Sequence, residues 1–222
     1  MVSAPYGPTS ELAAHHLVHG DGVKVIAVTG TNGKSTTVSL IQHLLVTAGR
    51  RSLLAGNIGI PLTTELSALA DVDVVVLEVS SFQLEEIHRF RPDIGLILNL
   101  TPDHLDRYPD EETYYQAKLD GFRNQHSADC LLINADDERL RELLHRPVDE
   151  RAKVLGFSRL RKLSKGASMN GSRIQIGLPD QTMLISTGDK DLTQLVGPRV
   201  RWFNTMSNEL LDEAGVTAKF GV

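Results

Sequence analysis

An apolar run that breaks at a glycine cluster and then resumes constrains this chain most strongly: residues 25–41 read "VIAVTGTNGKSTTVSLI". The continuous apolar residues before the break are typical of a buried strand. After the break, apolar residues recur at helical spacing at Val38, Ile41, Leu45 and Ala48, and a glycine follows as a stop signal. The stretch therefore predicts a strand, a tight loop and a helix in direct succession, which is the repeating unit of an α/β fold.

The same alternation continues along most of the chain. Further strand-like runs read "SLLAG", "VDVVVLEVS", "DIGLILNL", "DCLLINA" and "AKVLGFS", and the helical patterns between them read "LTTELSALA", "EETYYQAKLDGFRNQ" and "DERLRELLHR". Near-continuous apolar strands separated by helices are typical of a parallel sheet that is covered on both faces. We therefore expect a mostly parallel α/β sheet of the phosphate-loop type with helices on both faces. After it, "KGASMNGSRIQIGL" is more like a hairpin.

Composition and charge narrow the possible partners and the compartment. The 222-residue chain has a formal net charge of -5 with both signs mixed along it, so a nucleic-acid partner is not indicated. The single cysteine, Cys130, excludes an internal disulfide and is expected to be a buried thiol in a reducing compartment. No run approaches the ~18 apolar residues of a membrane span, and the N-terminus lacks a secretory pattern. We expect a cytoplasmic protein without a membrane partner.

The glycine cluster has the composition of an anion-binding loop. In "TGTNGKST" the glycines allow a tight turn, so that successive backbone N–H groups can face one phosphate at the start of the helix. The lysine supplies a charge for the outer phosphates, and the following hydroxyls can bind Mg²⁺. The loop is two residues shorter than the common G-x-x-x-x-G-K-[ST] pattern, and a purely structural turn is the alternative. The candidate nucleotide-binding residues are Gly30, Thr31, Asn32, Gly33, Lys34, Ser35 and Thr36.

Three charged or titratable residues are further candidates, each with a simpler alternative. Glu78 closes the strand "VDVVVLEV", where a charge is costly unless it is paired or metal-bound; alternatively, it is an exposed strand-end carboxylate. His104, in "DHLDR", follows another apolar strand and should emerge at the edge where open α/β sheets bind ligands; alternatively, it is a satisfied loop residue. Lys118, in "EETYYQAKLDGF", would by itself be a solvated position on an amphipathic helix.

A series of motifs in a fixed order resembles one known family. "TGTNGKST", "GNIGIP", "LEVSSFQLE", "LNLTPDHLDRY" and "YYQAKL" are similar to the central ATP-binding domain of the Mur ligases, over roughly residues 23–180. Within that family, "SSFQLE" and "DHLDRYP" resemble the members that add D-glutamate to UDP-N-acetylmuramoyl-L-alanine in peptidoglycan synthesis. The resemblance implies that a substrate carboxylate attacks the γ-phosphate of ATP, giving an acyl phosphate and ADP. The amine of D-glutamate then displaces phosphate.

The resemblance also implies roles for single residues. It makes Lys34, Glu78, His104 and Lys118 the catalytic set, with Asn57 and Ser80 near the substrate and the metal. Ser35 and Glu78 would bind one Mg²⁺, and His104, whose ring Asp103 would orient, would bind a second. In the family the lysine that corresponds to Lys118 reacts with CO₂ to become a carbamate, which gives hard Mg²⁺ the oxygen ligand that it prefers.

The tail resembles a different protein. The expected division is a leader at residues 1–22, the Mur-ligase-like domain at 23–181 and a short fragment at 182–222. The last of these is similar to part of the 5'-nuclease domain of DNA polymerase I. There Asp189 and Asp191 match two metal-binding aspartates, although "GDKD" is also an ordinary helix N-cap turn. We expect a strand, a helix and a strand that form a small α/β unit, either alone or as an extension of the main sheet, with Trp202 and Phe203 supplying apolar area; the alternative is a mobile segment.

Three functional interpretations therefore stay open. The first is a D-glutamate-adding ligase core, expected to be shortened relative to the family, and the second is a module that binds MgATP without turnover. The third is a nuclease fragment of the polymerase type. Because 22 residues precede the first strand, we expect the uridine-binding domain of the family to be absent.

Overall fold

The computed structural model describes residues 22–58, 61–85, 87–104, 106–145, 151–170, 173–177, 183–186, 196–197, 200–204, 207 and 209–221. The strands are β1 (Lys24–Thr29), β2 (Ser52–Gly56), β3 (Val74–Glu78), β4 (Ile94–Ile97), β5 (Cys130–Asn134), β6 (Lys153–Ser158), β7 (Gly166–Asn170), β8 (Arg173–Gly177), β9 (Met183–Ser186), β10 (Val200–Asn204) and β11 (Glu209–Leu211). The α-helices are α1 (Lys34–Thr47), α2 (Ser81–Leu84), α3 (Glu111–Asp120), α4 (Glu138–Arg141) and α5 (Glu213–Phe220).

One sheet of eight strands organises most of the described chain. Its order is β2-β3-β1-β4-β5-β6-β7-β8, and the pairs from β2 through β7 are parallel. In β1, Val28 lies opposite Glu78 of β3 on one side and Leu96 of β4 on the other. The carboxyl ends of β3, β1 and β4 therefore meet side by side at one edge, and this edge is where ligands bind in open α/β sheets.

Helices pack on both faces of this sheet. On one face, Val38 of α1 is fully buried against Val28 and Val76, with Ile41 and Leu45 partly buried beside it. On the other face, α2, α3 and α4 cover a larger core that includes Ala27, Ile97 and Ile133. Strand residues alternate between these two clusters, as the pleat requires. The mostly parallel α/β sheet with helices on both faces is therefore confirmed.

Some helical predictions were too long, for local reasons. "LTTELSALA" forms two 3-10 segments, Leu62–Thr64 and Leu66–Asp71, because it follows a proline and Thr64 Oγ1 donates to Pro61 O at 2.7 Å, which competes with a regular helix. The helix predicted over residues 111–125 ends at Asp120 and continues as turns. The pattern "DERLRELLHR" gives the short α4 and then a 3-10 segment, Glu142–His145.

The remaining described residues belong to a second compact unit. The first unit ends at Gln175 and the second begins at Ile176, near the predicted boundary at 181–182; the domain assignment itself stays a prediction. Strands β9, β10 and β11 form their own three-stranded sheet, so the alternative in which the tail extends the main sheet is wrong. Trp202 is 1% exposed and packs edge-on against Phe220 of α5. The predicted helix with Asp189 and Asp191, and the side chain of Phe203, lie outside the described residues.

Candidate active site

Three segments that are distant in sequence meet at the carboxyl edge of the sheet. The glycine loop follows β1, Glu78 is the last residue of β3, and residues 98–104 follow β4. The order β3-β1-β4 places the glycine loop between the other two segments. Helix α3 contributes Lys118 from the face that packs on this edge.

The glycine loop is fixed to the segment after β4. Gly30 has a φ of 143°, and a Cβ there would lie 3.0 Å from Leu98 Cβ, so only glycine fits without strain. Thr31 N donates to Asn99 O at 3.1 Å. The Asn99 side chain accepts from Asn32 N at 2.9 Å and donates to Asn32 O at 3.0 Å. Asn99 was missed from the sequence, although a polar residue at the end of the apolar run "LILN" was an available signal.

Two lysines converge on one carbonyl oxygen of this loop. Lys34 Nζ donates to Gly30 O at 2.9 Å and to Thr31 O at 3.0 Å, and Lys118 Nζ donates to the same Gly30 O at 3.3 Å. Lys118 is 2% exposed, so the interpretation of it as a solvated helix position is wrong. Burial, and then the charge of Lys34, lowers the pKa of Lys118 to about 7, against a smaller opposing effect of Asp103. Lys34 therefore places positive charge next to backbone amides at this edge, which suits a phosphate.

Glu78 is buried on the other side of the loop. It is 3% exposed, which excludes the exposed strand-end alternative; Ser35 Oγ donates to its Oε2 at 2.8 Å and Asn57 Nδ2 to its Oε1 at 3.1 Å. Gly56 makes this approach possible, because a Cβ at its φ of 111° would lie 2.2 Å from Glu78 O. Among the described residues, no lysine, arginine or histidine pairs with Glu78 within 4 Å. A buried carboxylate with neighbouring hydroxyl and amide oxygens fits a hard cation such as Mg²⁺.

His104 lies at the same edge but is more exposed. Its φ is 54°, unusual for a residue other than glycine, and its side chain is 46% exposed. The ring packs against Phe82, with 4.9 Å between centroids, and against Tyr114 at 6.0 Å. Asp103 Oδ2 lies 3.6 Å from Nε2, beyond hydrogen-bond distance, whereas its Oδ1 accepts from His104 N at 2.9 Å. Asp103 therefore holds the backbone of His104 rather than its ring.

The predicted metal ligands are only partly brought together. Ser35 and Glu78 are in direct contact, whereas His104 and Lys118 both contact the ring of Tyr114. In the described part of the chain, no three His, Cys, Asp or Glu side chains form a ready metal cluster. Tyr114 was not identified from the sequence. Its position four residues before Lys118, on the same helix face, was the available signal.

Other predicted residues have local structural roles. Ser80 precedes α2, and its backbone N and its hydroxyl both donate to Gln83 Oε1, at 2.9 and 3.0 Å. Thr36 is exposed in the first turn of α1. Cys130 is partly buried at the amino end of β5, the opposite edge from the glycine loop, and burial raises the pKa of its thiol.

A separate cleft lies along helix α3. It is open, has a volume of about 730 Å³, and is lined by side chains that include Glu85, Arg107, Thr113 and Gln116. The predicted site residues are not among its lining residues, so the case for the candidate site rests on its charges and loop geometry.

The chain matches known proteins over the region that contains the site. The profile of the Mur ligase middle domain matches residues 28–194, past the predicted boundary at residue 181. The UDP-N-acetylmuramoylalanine-D-glutamate ligase of Alkaliphilus oremlandii is 44% identical over 161 residues, which are 72% of this chain and 34% of that protein. The enzyme of the same name from Pelotomaculum thermopropionicum is 40% identical over 166 residues, 75% of this chain and 36% of that protein. The chain thus spans about a third of the length of these relatives.

Solved structures agree at the level of the fold. MurF ligase from Thermotoga maritima in complex with ADP has a TM-score of 0.54 and 24% identity, and the match covers 72% of this chain and 38% of that one. MurF from Acinetobacter baumannii has a TM-score of 0.58 and 18% identity, over 77% and 40% of the two chains. None of these comparisons concerns a DNA polymerase, so the resemblance of the tail to a nuclease stays a prediction. Within the described ranges, no helix combines the length and the apolarity that a bilayer crossing requires.

The burial of Lys118 predicts a pH-dependent stability. Because the pKa of Lys118 is about 7 in the folded chain and about 10.5 when it is exposed, the unfolded state binds more protons between these values. Without Mg²⁺ and bicarbonate, the free energy of unfolding should therefore rise between pH 7 and pH 9, on the order of 2 kcal/mol relative to Lys118→Met. Urea unfolding of both proteins at each pH measures this difference. An unchanged difference between the two pH values would contradict the assigned burial.

Proposed function

We propose that this chain, which belongs to the Mur ligase middle-domain family, binds MgATP at its glycine loop. There it would activate a carboxylate for amide-bond formation. The observation that carries the proposal is the convergence of Lys34 and Lys118 on Gly30 O, beside a loop whose shape Asn99 fixes. The Lys34 ammonium is held there by backbone carbonyls alone, so the phosphates of a nucleotide would balance its charge, whereas Lys118, whose pKa is about 7, can be present as a neutral amine.

We further propose the reaction that the relatives' names describe, the addition of D-glutamate to UDP-N-acetylmuramoyl-L-alanine, in the cytoplasm. The supporting observations are the 40–44% identity to two such ligases and the motifs "SSFQLE" and "DHLDRYP". The chain spans about a third of the length of those relatives, so the substrate contacts that lie elsewhere in them are not part of the proposal.

The chain's own residues would act mainly by alignment and charge neutralisation. The loop amides hold the phosphates, and Lys34 moves from its backbone carbonyls to the outer phosphates as negative charge shifts toward the leaving ADP. Asn57 and Ser35 keep the Glu78 carboxylate fixed at the edge. The acceptor carboxylate then attacks the γ-phosphate in line, and the amine of D-glutamate displaces phosphate from the acyl phosphate.

Mg²⁺ would be held by Ser35 and Glu78, and a second ion by His104 and a carbamylated Lys118; such ions neutralise phosphate charge during transfer. The carbamate forms when the neutral Lys118 amine attacks CO₂, making an N–C bond and releasing one proton to solvent. Burial of Lys118 without a carboxylate within 4 Å, in the described part of the chain, favours the neutral amine that this step requires.

A module that binds MgATP without turnover is the second candidate, because the chain matches only a third of each relative. Phosphate release from ATP, with UDP-N-acetylmuramoyl-L-alanine and D-glutamate present, distinguishes the two. Turnover supports the ligase, and binding without turnover supports the module. The nuclease alternative requires cleavage of flapped DNA that depends on Asp189 and Asp191.

Replacing Lys34 tests the nucleotide site. Lys34→Met keeps the aliphatic stem but removes the charge, so the affinity for MgATP should fall about 10- to 100-fold, the range for a hydrogen bond to a charged group. Lys24→Met is the matched control, because Lys24 lies at the opposite end of β1 and pairs with Asp93 there. Calorimetric titration measures both affinities, and circular dichroism verifies that both variants fold.

Equal affinities of Lys34→Met and the wild-type chain for MgATP would contradict the proposed site. A loss of affinity in Lys24→Met as large as in Lys34→Met would show that the change in net charge, rather than a contact of Lys34 with the nucleotide, causes the loss.

The carbamate is tested separately. With ¹³C-labelled bicarbonate, the wild-type chain should give a bicarbonate-dependent ¹³C carbamate signal, because its buried amine is largely neutral near pH 8. The signal should disappear in Lys118→Met and persist in Lys162→Met, since Lys162 is exposed. A signal that survives in Lys118→Met would place the modification on another amine, and no signal in the wild-type chain would remove the carbamate from the mechanism.

A further inference from the structure

We propose that Tyr114 is a positioning residue that holds the glycine loop, the segment after β4 and Lys118 in one arrangement for nucleotide binding. The inference rests on the proposed function, because it concerns the same site. It begins from one observation: Tyr114 contacts residues of two other segments, Thr31 and His104, and also Lys118 one turn along its own helix. Tyr114 itself is 1% exposed, so these contacts are sheltered from solvent.

The hydroxyl contact has a defined direction. Thr31 Oγ1 donates its only proton to Thr101 O at 2.9 Å, and it accepts from Thr101 N at 3.1 Å. Its remaining capacity is as an acceptor, so the Tyr114 hydroxyl, 3.3 Å away, must donate to it. The Thr31 oxygen is then fully used, by two donors and one acceptor. Removing the Tyr114 hydroxyl leaves one of these positions empty at a partly buried oxygen.

This network joins the nucleotide loop to the histidine segment. Thr31 lies between Gly30 and Asn32, whose backbones are held by Lys34 and Asn99, and Thr101 lies shortly before Asp103 and His104. The Thr31–Thr101 pair therefore fixes the distance between the loop and that segment. Tyr114 is the only described side chain from helix α3 that bonds to the pair. Together with the bond from Lys118 to Gly30 O, it links helix α3 to the glycine loop and to the segment after β4.

The ring provides the second half of the arrangement. Lys118 Nζ lies 4.5 Å from the centroid of the Tyr114 ring, within the range of a cation–π contact. The His104 ring meets Tyr114 edge-on at 6.0 Å. The ring face therefore limits where the Lys118 amine can lie, and the hydroxyl fixes the ring relative to the glycine loop.

A matched control distinguishes positioning from ordinary core packing. Tyr115 is the next residue of α3, it is 2% exposed, and its hydroxyl donates to Glu111 Oε2 at 3.3 Å on its own helix. Tyr115→Phe removes the same atom as Tyr114→Phe, but that hydroxyl bonds to no site residue, and the ring, which packs against Tyr114 at 5.6 Å between centroids, is kept. Both variants keep the aromatic volume, so both should fold, and each should lose no more than about 4 °C in melting temperature.

The first measurement is the affinity for MgATP. Tyr114→Phe should weaken it about 3- to 10-fold, and Tyr115→Phe should leave it unchanged. In Thr31→Val, which has already lost the shared oxygen, adding Tyr114→Phe should cause no further loss. Equal affinities of the two tyrosine variants would overturn the proposal. So would a full additional loss in the double variant, because the hydroxyl would then act by another route.

The second measurement does not need the nucleotide. Hydrogen exchange of the amides of Thr31, Asn32 and Thr101 in the free chain should become at least about 3-fold faster in Tyr114→Phe and not in Tyr115→Phe. If the wild-type chain fails to bind MgATP, the proposed function is wrong, and exchange alone decides the role of Tyr114. Unchanged exchange at these amides would overturn that role even if MgATP binds.

Discussion

The carbonyl oxygen of Gly30 accepts hydrogen bonds from two lysines, and the site depends on this shared contact. Burial, and then the charge of Lys34, lowers the pKa of Lys118 to about 7, and the arrangement persists because the sheet and α3 hold both side chains there. Parallel pairing of β1 with β3 and β4 sets the loop at the edge, and the positive φ of Gly30 turns its carbonyl toward both lysines. The fold thus holds, beside the Lys34 ammonium, a second amine that is largely neutral above pH 7.

The site also carries an unbalanced charge of the opposite sign. Glu78 is buried with two neutral donors, Ser35 and Asn57, and Lys118 is buried with a backbone carbonyl and an aromatic ring. A buried carboxylate is costly as an isolated ion, and the free chain offers Glu78 no full counter-charge, whereas burial lowers the pKa of Lys118 to about 7 and so favours its neutral amine. MgATP would bring a divalent cation for the carboxylate and phosphates for the Lys34 ammonium. Binding would therefore relieve electrostatic strain that folding alone leaves in place.

The sequence predicted the framework of this site better than its details. The apolar strands and the glycine loop have strong local signals, so the sheet, its edge and the positions of Lys34, Ser35 and Glu78 could be anticipated. The burial of Lys118 could not be derived from helical spacing, because only tertiary packing determines which helix face meets the sheet. Asn99 and Tyr114 were missed for the same reason: each acts through contacts with residues more than 60 positions away. The hydrogen bond from Thr64 Oγ1 to Pro61 O, which competes with regular helix formation, also went unpredicted, and "LTTELSALA" forms 3-10 segments instead of the expected helix.

The claim that MgATP completes an unbalanced site is tested most directly by comparing ATP affinity with Mg²⁺ and with EDTA, in the wild-type chain and in Glu78→Gln. The variant keeps an oxygen that can accept from Ser35 but removes the buried negative charge. The account predicts that Mg²⁺ raises the affinity of the wild-type chain at least about 10-fold, that the variant loses this gain, and that the two agree in EDTA. An equal gain from Mg²⁺ in both proteins would contradict it, because the cation would then be acting through the nucleotide alone.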